Sequence, residues 1–185
     1  MVQAPVLREK PRRSPWFSSA VLSLLLLTGC NAPSNPGESA RLNSRFTEEQ
    51  PALSGDGRLV AFITNRNGTA QIAVYDRDRQ AFLTLPGLNR DGLMVQNPSL
   101  SRTGRYIAYL THDQGRPEIA LYDQAIQRSE IISRRYRDWI RNPKISPDGR
   151  YISFETARRG QWDVEILDRG PDVELDLADG TLIEP

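Results

Sequence analysis

The chain has 185 residues, a quarter of them charged, with 24 basic and 23 acidic side chains, one cysteine and one histidine. A single cysteine excludes an internal disulfide, and a lone histidine leaves no Cys/His cluster with zinc spacing. The near-balance of charge gives no argument for a nucleic-acid partner.

In chain order, the first segment reads as targeting rather than as fold. Arg8, Lys10, Arg12 and Arg13 precede the apolar run Ala20–Leu27, which is well short of the ~20 residues a bilayer-spanning helix needs. It suits a secretory signal. The following Leu27-Thr28-Gly29-Cys30 closely resembles the bacterial lipobox. That resemblance implies a diacylglycerol on the Cys30 sulfur and cleavage just before it, so residues 1–29 are expected to be removed. Their loss takes Arg8, Lys10, Arg12 and Arg13 from the 24 basic residues and Glu9 from the 23 acidic ones, leaving 20 against 22, net −2. Residues 30–45, rich in Pro, Asn, Ser and Gly, cannot bury enough apolar surface to offset ordering and read as a flexible tether. A folded domain over 46–180 and a tail over 181–185 complete the expected organisation.

The domain repeats itself. QPALSGDGRLVAF at 50–62, NPSLSRTGRYIAY at 97–109 and NPKISPDGRYISF at 142–154 align on Pro51, Pro98 and Pro143, at spacings of 47 and 45. Seven columns are identical, among them Ser54/Ser101/Ser146, Gly57/Gly104/Gly149, Arg58/Arg105/Arg150, Thr64/Thr111/Thr156 and Asp76/Asp123/Asp168. Apolar residues alternate, as in Val60 and Phe62 or Ile72 and Val74, which is the period of a strand. Asp56-Gly57 and Asp148-Gly149 suit tight hairpin turns. A fourth strand is expected after each aspartate, at 81–85, 129–132 and 173–177. Four antiparallel strands per ~45 residues make a propeller blade. The expected fold is therefore all-β: a partial β-propeller of three four-stranded blades at about 51–97, 98–142 and 143–178.

The phrase Pro-x-Ile/Leu-Ser-x-Asp-Gly-Arg-x-Ile-x-Phe, fullest in Ser146-Pro147-Asp148-Gly149-Arg150, closely resembles the WD40-like blade repeat of the TolB-like family. The resemblance spans roughly residues 40–180. It implies a propeller on the periplasmic side of a bacterial cell envelope, anchored here through Cys30. It further implies a non-catalytic scaffold that binds envelope proteins, linked to Tol-type transport or envelope integrity. The alternative reading is an accessory module that binds, or helps to hydrolyse, envelope glycans or peptides.

Three blades leave two flat faces without a neighbour, and large apolar faces usually mark interfaces. Two readings stay open. A symmetric homodimer would complete a six-bladed ring; alternatively, an open wedge has its ends covered by segments 38–50 and 178–185, with residues 41–46 adding a strand.

No catalytic, cofactor or metal-binding residue is expected. His112 shares its column with Asn65 and Ala157. Recurrence of Asp76, Asp123 and Asp168 favours Asx-type capping of turns, and that of Arg58, Arg105 and Arg150 suits hairpin residues packing their stems along the sheet. After residue 29, Lys144 is the only lysine against 19 arginines. One rim gathers arginines and aromatics: Arg134, Arg135, Tyr136, Arg137, Trp139 and Arg141, with Arg158 and Arg159 beside them. Arg, Tyr and Trp dominate interface hot spots, and arginine suits bidentate capture of carboxylates or phosphates. These eight residues are the expected partner-binding surface. The competing reading is a solvated loop with Trp139 tucked against the next blade.

Overall fold

The computed structural model describes residues 41–113 and 115–177; the signal segment, Cys30 and the 181–185 tail lie outside the described residues. Among the described residues, eleven strands form three antiparallel sheets. The first holds β1 (Glu48–Leu53), β2 (Leu59–Thr64), β3 (Gln71–Asp76) and β4 (Ala81–Phe82). The second holds β5 (Met94–Leu100), β6 (Tyr106–Asp113), β7 (Arg116–Asp123) and β8 (Arg128–Ile131). The third holds β9 (Ile140–Ile145), β10 (Tyr151–Thr156) and β11 (Asp163–Asp168).

Each sheet is an up-and-down meander whose first strand packs against the first strand of the next sheet. The Asn97 N–H donates to Gln50 Oε1 at 2.6 Å, and the Ile145 N–H to Ser99 Oγ at 3.1 Å. The first strands begin three or four residues before the repeated prolines, not at them. Gln50, Asn97 and Asn142 each take a positive φ of about 50°, and the ladder register shifts at that point. Proline cannot donate to a ladder, so it is accommodated in a bulge.

Alternation gives every blade a forward and a rear face. Leu59, Ala61, Ile63, Ile72 and Val74 of the first blade meet Leu100, Ile107, Tyr109, Ala120 and Tyr122 of the second. Tyr106, Ala108, Leu110, Ile119 and Leu121 on the other side of the second blade meet Ile145, Ile152, Phe154 and Leu167 of the third. Fully burying one such aliphatic or aromatic side chain contributes roughly 1.5–3 kcal/mol. The core is therefore two inter-blade layers.

The polar columns explain the hairpins. In the first blade Asp56 accepts from Ser54 Oγ at 2.5 Å and from the Arg58 N–H at 2.9 Å. Ser146, Asp148 and the Arg150 N–H repeat the motif in the third. The second blade has Thr103 where the aspartate should be. There Asp176, 73 residues downstream and buried, accepts from Ser101 Oγ at 2.5 Å, the Thr103 N–H at 2.8 Å and Thr103 Oγ1 at 2.7 Å. The missing carboxylate arrives from elsewhere in the chain.

That arrival overturns one expected strand. Residues 173–177 do not pair as a fourth strand, and the third sheet has three strands among the described residues. Glu174 and Asp176 are drawn instead onto the second blade: the Glu174 carbonyl accepts from Tyr106 Oη at 2.6 Å, and its carboxylate pairs with Arg105 at 2.6 Å. Residues 41–46 form no strand either; Leu42 and Ser44 are held through Arg66 and Glu48.

The two columns read separately in the sequence are partners. Arg58–Asp76, Arg105–Asp123 and Arg150–Asp168 close at 3.1, 3.3 and 2.9 Å. The same aspartates accept from the Asp78, Ala125 and Gly170 N–H groups, capping the turns as expected.

Asp176→Ala should cost about 2 kcal/mol in urea unfolding, the value of a buried charged hydrogen-bond acceptor. Adding Thr103→Asp should recover most of that loss, whereas Thr103→Asp alone should destabilise by setting two carboxylates together. Burial opposes ionisation of Asp56 and Asp148, but the Ser54 or Ser146 hydroxyl and the backbone N–H outweigh it and hold both carboxyls below their ordinary 3.8. A depressed folded-state pKa stabilises above the unfolded value and is lost as pH falls through the folded one. Thermal unfolding temperature should therefore stay level from pH 7 to 5 and drop below about pH 4.

Candidate functional site: the arginine rim between the second and third blades

The connection from β8 to β9 is pinned at alternate points. Ser133 is buried, and its Oγ accepts from the Ile119 N–H at 2.8 Å. The Tyr136 N–H donates to the Ser133 carbonyl at 2.7 Å, and its ring packs edge-on to Phe154 with centroids 4.9 Å apart. The Trp139 carbonyl accepts from the Ala157 N–H at 2.9 Å. Between these anchors, Arg134, Arg135 and Arg137 project as exposed side chains.

Two shallow clefts flank the segment. One, of about 370 Å³, is lined by Arg135, Tyr136, Arg137, Asp138, Arg158 and Glu165. The other, of about 460 Å³, lies between the outer edges of the two blades, with Arg134, Arg135, Arg169, Glu130 and Asp168 in its wall. Arg135 is the ridge common to both. Among the described residues no carboxylate pairs with Arg134, Arg135 or Arg137.

The remaining expected residues are placed differently. Arg158 approaches Glu165 at 3.9 Å within the first cleft, while Arg159 is held by Asp163 at 2.9 Å. Arg159 and the Gln161 amide hold the Asp163 carboxyl below its ordinary range. Arg141 leaves the rim: it binds Glu155 at 2.6 Å and lies 3.8 Å above the Trp162 ring on the forward face of the third sheet. The Asn142 amide and Arg141 together hold the Glu155 carboxyl low. Trp139 is 61% exposed, so its indole is not tucked against the next blade. Of the eight residues, the structure gathers Arg134, Arg135, Tyr136, Arg137 and Arg158 around one ridge. Trp162, at 46% exposed, was missed because its repeat column holds Ala70 and Pro117, so no aromatic recurs there.

Among the described residues no group of three or more His, Cys, Asp or Glu could hold a metal ion. His112 stands near the end of β6, opposite Met94 and Pro117. No helix among the described residues is long and apolar enough to cross a membrane.

Comparison of folds places this arrangement. TolB from Acinetobacter baumannii superposes with a TM-score of 0.59 at 22% identity, over 70% of this chain and 31% of that one. A putative TolB from Agrobacterium tumefaciens gives 0.50 at 19% identity, over 64% and 42%. The fold is a β-propeller. The propeller here spans less than half the length of either TolB chain. An oligogalacturonate lyase in complex with manganese also aligns, with a TM-score of 0.50 at 13% identity. No family model matches the sequence, and no curated protein does.

The ridge separates structural from exposed residues. Tyr136→Ala should lower stability by about 2–3 kcal/mol through loss of the Phe154 contact. Arg137→Ala should leave the denaturation midpoint within the range of an ordinary surface change, about 0.5 kcal/mol.

Proposed function

We propose that this chain is a non-catalytic lipoprotein of the bacterial cell envelope, held at the membrane by a lipid on Cys30, whose propeller is a scaffold for protein partners. The surface that docks them is the ridge of Arg134, Arg135 and Arg137 with Trp139 beside it. The carrying observation is that these three guanidiniums stand over the clefts with no ion-pair partner among the described residues, on a backbone pinned at Ser133, Tyr136 and Trp139. A preorganised donor array loses little entropy on meeting carboxylates, and Arg and Trp are the residue types that carry interface energy. The favoured partner is a protein with an acidic patch. The TolB-like blade phrase and the lipobox-like Leu27-Thr28-Gly29-Cys30 support the envelope location.

Crosslinking in intact cells followed by copurification tests the docking surface. The variant Arg135→Ala/Arg137→Ala/Trp139→Ala should lose the captured partner while retaining the wild-type melting temperature; unchanged capture refutes the ridge. Separately, Cys30→Ala should abolish incorporation of radiolabelled palmitate and release the protein from the membrane fraction. Retention of label would refute the anchor.

A further inference from the structure

A hairpin joins the first and second strands of each blade, and the second of these hairpins is incomplete. The first and third hold their serine with an aspartate of their own turn, Asp56 or Asp148. In the second that column is Thr103, and the carboxylate comes from Asp176. Among the described residues it is the one hairpin of the three whose acceptor enters from outside the turn.

The seat is built without its occupant. Ser101 is fully buried, and its Oγ accepts from the Tyr106 N–H at 2.9 Å within the turn. Both neighbouring hairpins hold the backbone. The Gly55 and Asp56 N–H groups donate to the Ser101 and Arg102 carbonyls at 3.2 and 2.9 Å, and the Arg102 N–H donates to the Pro147 carbonyl at 2.7 Å. Arg105 is positioned by Asp123 at 3.3 Å. Ser101 and Thr103 thus present three donors to one carboxylate, and Arg105 takes a second, that of Glu174, at 2.6 Å.

The occupant is held more loosely. Residues 171–177 pair in no ladder, and none belongs to either core cluster. Their backbone makes one bond to other backbone, from the Asp176 N–H to the Asp148 carbonyl at 2.8 Å. Gly170 precedes them at a φ of 101° with open space around its Cβ position, and Pro171 and Asp172 are exposed. A strap without core packing belongs to the low-stability end of local opening. Its departure would leave the buried Ser101 hydroxyl only the Tyr106 carbonyl, at 3.3 Å, so a vacated seat attracts another carboxylate.

We infer that the second hairpin is a docking site for a short acidic peptide of a partner protein, and that residues 173–177 fill it at rest as a tethered stand-in. Glu174 and Asp176 set the spacing such a ligand needs: one carboxylate on Arg105, and another two residues later on Ser101 and Thr103. The tether gives the strap a high effective concentration, so a partner's peptide must compete with it. The site lies on the hairpin rim, opposite the arginine ridge, and stands or fails independently of it.

The probe is a fluorescent peptide with the sequence of residues 173–177, blocked at both ends. By anisotropy it should bind Glu174→Ala/Asp176→Ala, whose own strap is disarmed, at least about tenfold more tightly than wild type, where the strap competes. Adding Thr103→Asp to that variant should abolish binding by filling the seat from within, and a peptide with Asn at the Asp176 position should not bind. With peptide in large excess, hydrogen exchange of the wild-type chain should rise at residues 173–177. No binding to the folded double variant, or binding indifferent to Thr103→Asp, overturns the inference. If the double variant does not fold, unchanged wild-type exchange at 173–177 overturns it equally.

Discussion

The structure depends on one contact made at each junction: a bulky side chain opening the second strand of a blade, seated on the bare backbone of the next blade's hairpin glycine. The contact requires two properties of that hairpin at once. Its glycine must turn with positive φ, and the space above it must be empty of a side chain. Leu59 and Tyr106 then lock the blades in register, and the alternating apolar faces follow into contact. A single four-stranded sheet has too little to bury on its own; two layers of inter-blade packing supply the core.

The polar columns serve the same hairpins. Serine and aspartate tie the turn from within, and the repeated arginine reaches across to the aspartate that caps the next turn. The result is a chain of small satisfied networks on one rim. The opposite rim holds longer connections, and there the sequence is free to place unpaired arginines. Separation of a rigid, hydrogen-bonded rim from a variable one gives a scaffold somewhere to carry a binding surface without disturbing its blades.

The strands were legible because alternation and recurrence act together: one period assigns a strand, and three copies assign a blade. The roles of Arg58 and Asp76 were half legible. Each was read as structural, but the pairing crosses two strands, and column identity alone does not reveal partners. The substitution of Thr103 for aspartate was a visible gap in the pattern, yet nothing local indicates that Asp176 fills it. The same contact explains why 173–177 reads as a strand and is not one: its alternation is real, but Asp176 is held by the second blade's turn. Arginine content marked the ridge, and only packing separated Tyr136, which is anchored on Phe154, from Arg137, which is not. Arg141 was grouped with the rim by sequence proximity, while strand direction turns it to the sheet face.

A matched pair of glycines tests the junction contact most directly. Gly149 and Gly160 share a φ of 81°, but a Cβ on Gly149 meets Tyr106 and one on Gly160 meets open space. Both alanine variants carry the same backbone strain, on the order of 1–2 kcal/mol. Chemical denaturation should find Gly149→Ala less stable than Gly160→Ala by a further 1–3 kcal/mol or so, the usual cost of overpacking. Equal losses would contradict the claim that side-chain-on-glycine seating holds the blades together.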